Sequence, residues 1–324
     1  MPAPLKIQAR PLAGSSVLLP RVALGCGGFG GVGSAPELFG QGLSDEQAAE
    51  LMDAAWEMGI THFDTADAYG GGRSERAIGA WIASRGLRPT LTTKTFHPMR
   101  PGGDFGLEGE RVMRCAADSL RRLGVDRVEL YLAHEVDPSV PLKRTVQAFE
   151  RLRDRGMIAA WGLSNVGADA LRDALAVATP AAVQNGCSLL ERGDLHTVIE
   201  LCARHGVAYS AFSPLCGGWL AGRYRRGEPP APGSRMTLRP QPYLALQRAA
   251  TFDALERLEE LAAARGDTMA SLAIAWLLAD ERISQIVVGP ARPEHLEPVR
   301  RALEHPLQAA ERDRLTELFA GCGL

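Results

Sequence analysis

Eight short runs of β-branched and apolar residues recur along the chain, each followed by a stretch with helical spacing, and this alternation limits the possible folds most sharply. The runs are residues 22–24, 61–64, 90–94, 128–134, 158–164, 181–184, 207–212 and 283–288. Ser44-Asp-Glu-Gln47 has the form of a capping box, opening a helix that carries Leu51, Met52, Ala55 and Trp56. Val112, Ala116, Leu120 and Leu123 fall on one helical face, with Gly124 as a stop; Val146, Phe149 and Leu152 repeat the pattern before Gly156. Eight strands each followed by a helix predict an α/β fold of the (β/α)8 TIM barrel type, a single domain over residues 1–324. A doubly wound sheet is the alternative, but no strand runs straight into a phosphate loop and helix. Residues 223–243, rich in proline, arginine and glycine, break the rhythm and are expected to form a lid-like loop without structure of its own.

Composition removes several function classes. Of the 324 residues 46% are apolar and 23% charged, with a formal net charge of −2, so neither a nucleic-acid footprint nor a membrane surface is expected. Residues 1–10 lack the apolar core of a signal peptide, and the longest apolar stretch, 269–279, is too short to span a bilayer. The six cysteines include no CxxC pair, which predicts reduced thiols and a cytoplasmic protein.

In a barrel of this kind chemistry collects at the C-terminal strand ends, whose loops line one mouth. Asp64 ends the second run, with Tyr69 in the loop beyond; Lys94 ends the third and His134 the fourth. Ser164 and Asn165 close the fifth, Gln184 the sixth, and Phe212 with Ser213 the seventh. Alternation puts His134 on the same face as Val128, Leu130 and Leu132, and Lys94 with Thr90 and Thr92. A single such residue reads as structural; titratable groups converging from three consecutive units read as a site. Tyrosine normally keeps its proton to about pH 10. A lysine ammonium beside it is expected to lower that value, an aspartate to hold the lysine, and a histidine to orient a substrate oxygen. Such a group protonates a carbonyl oxygen while a cofactor supplies the hydride.

These residues sit in motifs that resemble the aldo-keto reductases. Phe63-Asp-Thr-Ala-Asp-Ala-Tyr-Gly70 with Arg73-Ser-Glu75 and Ile78-Gly79 is similar to the family's aspartate and tyrosine signature. Thr92-Thr-Lys94, Ser119-Leu-Arg-Arg-Leu-Gly124 with Val128 to His134, and Gly162-Leu-Ser-Asn165 match in order. The resemblance implies a reductase that takes NADP(H), or alternatively NAD(H), in an extended form. By position it implies Asp64, Tyr69, Lys94 and His134 as the catalytic four, and Ser164, Asn165 and Gln184 around the nicotinamide carboxamide. It further implies Phe212 stacked on the nicotinamide, Ser213 and Leu215 at the pyrophosphate, and Gly289-Pro-Ala-Arg292 near the adenosine phosphate. Arg292 and His295 are the candidates for the 2′-phosphate, while Pro298 and Val299 stand where relatives carry a Glu-Asn pair gripping adenine.

Other motifs carry bland readings. Gly25-Cys-Gly-Gly-Phe-Gly30 fits GxGxxG, but no helix follows at once, so a first-loop role for Gly27 and Gly28 beside the ligand is expected instead. The seven histidines lack HxH or HExxH spacing, so no metal site is expected; His62 shares a strand face with Asp64. Cys26, Cys216 and Trp161 read as core, and residues 223–226 as a solvated charge run. Two alternatives to carbonyl reduction stand: a sugar or alcohol dehydrogenase working oxidatively, and a non-catalytic nicotinamide-sensing subunit, since some relatives regulate channels. The expected partner is a small carbonyl or alcohol; monomer and homo-oligomer are both open.

Overall fold

The computed structural model describes residues 4–324; residues 1–3, part of the segment read as lacking a leader, lie outside the described residues. Eight parallel strands close into a barrel: β3 (Val22–Gly25), β4 (His62–Asp64), β5 (Thr90–Thr95), β6 (Val128–Ala133), β7 (Ile158–Ser164), β8 (Ala182–Gly186), β9 (Ala208–Phe212) and β10 (Ile283–Val288). The strands pair in chain order, and β10 closes on β3. Helices α1 (Asp45–Met58), α2 (Arg73–Arg85), α3 (Gly109–Leu123), α4 (Leu142–Asp154), α5 (Ala168–Val177) and α6 (Val198–His205) fill the connections, with α8 (Ala249–Ala264) and α9 (Met269–Leu278) before β10. The chain ends with α10 (Glu297–Glu304) and α11 (Ala309–Leu318). This is the (β/α)8 barrel that the alternation predicts.

Local chemistry places the helix ends. Ser44 caps α1 with both bonds of the capping box, and Gly124 ends α3 in the left-handed region at φ 66°. The glycine-rich stretch after β3 runs through a 3₁₀ turn (Pro36–Leu38) before α1 begins at Asp45, so no helix N-terminus meets those glycines. Among the described residues no single helix is long and apolar enough to cross a membrane.

Two features depart from expectation. A short antiparallel hairpin, β1 (Ala9–Pro11) with β2 (Leu18–Pro20), precedes the barrel. Its Leu12, Val17 and Leu19 pack against Leu130, Leu132, Ala160 and Ala182, sealing one end of the barrel with apolar side chains. Three-residue strands are too short to register as alternation. Residues 223–243, expected to be without structure, contain α7 (Arg235–Leu238) and the start of a 3₁₀ turn (Gln241–Leu246), anchored by buried Tyr224 and Met236.

The interior is polar along the same inward stripe. His62 Nε2 and Thr92 Oγ1 are 2.8 Å apart, and Gln285 Nε2 lies 3.1 Å from His62 Nδ1. Burial depresses His62 to about 3, so a neutral ring bridges β4, β5 and β10 beneath Asp64. His62 is thus enclosed in the barrel. All six cysteines are buried and unpaired, and Trp161 stacks on Phe149 at 10° in the core.

Candidate active site

At the C-terminal ends of β4 and β5, Lys94 Nζ lies 2.5 Å from Asp64 Oδ1 and 2.8 Å from the Thr65 carbonyl oxygen. Gln184 Nε2, from β8, donates to Asp64 Oδ2 at 2.8 Å. An aspartate–lysine pair this deep is tolerable because its hydrogen-bonding positions are filled on both sides. Burial works against the Lys94 ammonium, but Asp64 and then Tyr69 raise it, and the net direction is upward. Lys94 therefore stays charged across the neutral range.

Tyr69 is set over this pair by its loop. Its hydroxyl is 3.5 Å from Lys94 Nζ, with the ammonium 5.1 Å from the ring centroid. Gly70, Gly71 and Gly72 follow it with φ of 56°, 65° and 86°, three left-handed residues in a row that only glycine adopts cheaply. A Cβ on Gly27 would lie 3.5 Å from the Tyr69 ring, so the first loop passes close to the phenol, while Gly28 has open space around it.

The expected lowering of the Tyr69 proton affinity is corrected by the structure. Burial pushes the phenol above its ordinary value, and the pull of Lys94 offsets only part of that. The sequence shows the lysine but not the depth of burial. His134, immediately past β6, has its ring 5.5 Å from that of Tyr69. Burial, with Lys94 and His97, holds it well below the ordinary value for histidine, so the imidazole is neutral, and its Nδ1 is buried without a partner.

The opposite rim is built from the loops after β7 and β9. Ser164 Oγ donates to the Gln184 carbonyl oxygen at 2.7 Å, and Asn165 Nδ2 donates to the His134 carbonyl oxygen at 2.9 Å. Asn165, Ser213 and Cys216 have φ of 53°, 54° and 47°, the only left-handed residues other than glycine among the described residues. Each costs roughly 1–2 kcal/mol, and strain of this kind concentrates at ligand clamps. Phe212, Ser213 and Leu215 are half-buried along this rim. Ser164, Asn165 and Gln184 together offer hydroxyl and amide groups that can both donate and accept, the donor set a nicotinamide carboxamide requires. The orphaned His134 Nδ1 and the strained rim agree with a ligand on this side.

Beyond β10, Gly289 and Arg292 are exposed, and Arg292 Nη2 lies 3.5 Å from His295 Nε2. Burial, Arg223 and Arg292 lower the His295 proton affinity. Pro298 is half-buried, and Val299 is buried in the core. Among the described residues no three His, Cys, Asp or Glu side chains gather in a metal-binding arrangement.

The Aldo/keto reductase family model matches residues 21–320. This chain belongs to the aldo/keto reductase family. Members reduce or oxidise small carbonyl and alcohol substrates with nicotinamide cofactors, so the chain is an oxidoreductase by family. It is 29% identical over 279 residues, 82% of this chain and 84% of the relative, to a protein of Arabidopsis thaliana named "Probable voltage-gated potassium channel subunit beta". The glycerol dehydrogenase AKR11B4 from Gluconobacter oxydans superposes with a TM-score of 0.83 at 23% identity, covering 98% of this chain and 96% of that one. The holo aldo-keto reductase AKR11C1 from Bacillus halodurans superposes at 0.79 and 24% identity, covering 96% of each. At these identities both share the fold.

Three contributors to this aldo/keto reductase site are not legible as residue types. The Thr65 contact is a backbone carbonyl. His97, whose ring is 4.8 Å from that of His134, lies in a loop whose path the sequence does not fix. Arg223 sits in the run read as a solvated face. Arg225 and Arg226 pair with Glu259, Glu256 and Asp253 at the surface and Arg223 is exposed as well, as that reading expects; Arg223 also lies against Gly218 and depresses His295. Residues 223–243 also cover this rim: Tyr224 donates to the Gly217 carbonyl oxygen at 3.1 Å, and a Cβ on Gly217 would fall 2.5 Å from Tyr243.

Proposed function

We propose that this chain reduces an aldehyde, ketone or sugar carbonyl with NADPH, using Tyr69 as the general acid. The observation that carries the reading is the buried Asp64–Lys94 pair with the Tyr69 hydroxyl 3.5 Å from the ammonium. When bound, the reduced nicotinamide supplies the hydride that no side chain can. Tyr69 gives its proton to the carbonyl oxygen; its raised proton affinity keeps it protonated at neutral pH, and Lys94 stabilises the phenolate left behind. His134, neutral and with Nδ1 unpartnered, orients the same oxygen.

Ser164, Asn165 and Gln184 are assigned to the carboxamide, Phe212 to the ring face, Ser213 and Leu215 to the pyrophosphate, with Gly27 and Gly28 alongside. Gly289, Arg292 and His295 are assigned to the adenosine phosphate, where the exposed Arg292 guanidinium, with Arg223 close enough to act on His295, supports NADPH over NADH. The barrel acts as one unit with residues 223–243 as its lid, and six unpaired cysteines suit a cytoplasmic setting. The name of the Arabidopsis relative supports a second reading, a nicotinamide-sensing subunit without turnover.

NADPH consumption across aldehydes, ketones and sugars, with NADH and the reverse reaction with alcohols in parallel, separates these readings. Reduction of at least one carbonyl class, faster with NADPH, is expected. Tight NADPH binding without turnover in either direction would favour the sensing role.

A further inference from the structure

Behind the catalytic loop, on the outer face of β5 and β6, lies a second buried polar cluster. Asp67 is fully buried, and neither of its carboxyl oxygens has a hydrogen-bond partner. The Tyr131 hydroxyl in the same cluster is also buried without a partner. An ionised carboxylate in such a place costs several kcal/mol unless paired.

The groups facing Asp67 are Glu75 from α2, Arg111, Cys115 and Arg122 from α3, Thr95 from β5 and Tyr131 from β6. Neither arginine forms an ion pair with Asp67 among the described residues, and their fields offset only part of the effect of burial. Arg122 Nε is held by Glu75 Oε2 at 2.6 Å, and Thr93 Oγ1 donates to Glu75 Oε1 at 2.6 Å. Arg111 Nη1 donates to Thr95 Oγ1 at 3.1 Å and to the Gly106 carbonyl oxygen at 2.8 Å; Nη2 reaches the carbonyl oxygens of His97 and Asp104. Burial raises the Cys115 thiol and the Tyr131 phenol, so both are neutral.

The same residue is stitched to the active site through its backbone. Asp67 N–H donates to the Lys94 carbonyl oxygen at 3.0 Å, and Thr65 N–H to that of Thr92 at 2.8 Å. Tyr69 follows two residues later, its N–H on the Ala66 carbonyl oxygen at 3.2 Å.

We propose that Asp67 is a positioning residue: as a neutral acid it seats the Tyr69 loop on β5 and β6, and its ionisation loosens that loop. The link to turnover rests on the assignment of Tyr69 above; the link to loop order does not. Burial and then Glu75 push the Asp67 carboxyl up to about 7, against the smaller pulls of Thr95, Arg111 and Arg122. An unfolded aspartate ionises near pH 4, so the native chain binds the extra proton. The stability from this group is present in acid and is lost as pH rises from about 4 to about 7.

The test compares the cofactor-free protein and its Asp67→Asn variant, which is uncharged at every pH. Hydrogen exchange of residues 66–72 and the melting temperature are followed from pH 5 to 8, and kcat over the same range with the best carbonyl substrate. In the native protein, exchange beyond the intrinsic base-catalysed increase is expected to set in near pH 7. With only the neutral form competent, kcat falls about tenfold between pH 6 and 8, as a single group titrating at 7 requires. Asp67→Asn is expected to flatten all three profiles. Native exchange that follows the intrinsic rate throughout overturns the proposal without any variant. Identical pH dependence of melting in the two proteins overturns it too, as does a kcat limb that persists in Asp67→Asn. If no carbonyl is turned over, the exchange and melting arms still decide whether Asp67 seats the loop.

Discussion

Around β4 and β5 the charged groups of the mouth are tightly engaged: Asp64 holds Lys94 and Gln184, and Lys94 also holds the Thr65 carbonyl. Past β10 the pattern is reversed, with Arg292 exposed and, among the described residues, reaching only His295 at 3.5 Å. The contrast follows from solvent. A charge removed from water needs partners fixed in the fold, whereas a charge left in water can await a ligand. One side of the mouth is therefore preorganised by folding, and the other is left in solvent.

Lys94→Met strands a buried Asp64 carboxylate and is expected to cost about 3–5 kcal/mol in chemical denaturation at pH 7, with turnover lost as the phenolate is no longer stabilised. Stability within about 1 kcal/mol of the parent would mean that the pair is not held as tightly as its distances imply. Arg292→Ala sits at the solvated end and should leave stability unchanged while weakening NADPH about tenfold more than NADH, the scale of one charge-assisted contact of about 1.5 kcal/mol. Equal loss of both cofactors in titration would remove Arg292 from phosphate recognition.

Much of the preorganised side is legible in the sequence because it depends on residue type at strand ends. Alternation and strand position bring Asp64, Lys94 and Gln184 to one face without any coordinates, and Ser44 and Gly124 mark helix ends by their own chemistry. What escapes is whatever depends on depth or on backbone. The Tyr69 phenol is shifted upward because burial outweighs a visible lysine, and the Thr65 carbonyl has no signature in residue identity. On the solvated side Val299 is legible as a departure, and the structure gives its reason: its side chain belongs to the core rather than to a cofactor contact. Arg223 is solvated like its neighbours Arg225 and Arg226, and only the loop path brings it near enough to act on His295.

The Tyr69→Phe variant, with NADPH affinity and kcat measured side by side, tests Tyr69 as proton donor most directly. The expected result is an NADPH dissociation constant near that of the parent and a kcat reduced about 10²–10⁴-fold, the contribution of a general acid. A Tyr69→Phe protein that reduces carbonyls at the parent rate would contradict the assignment.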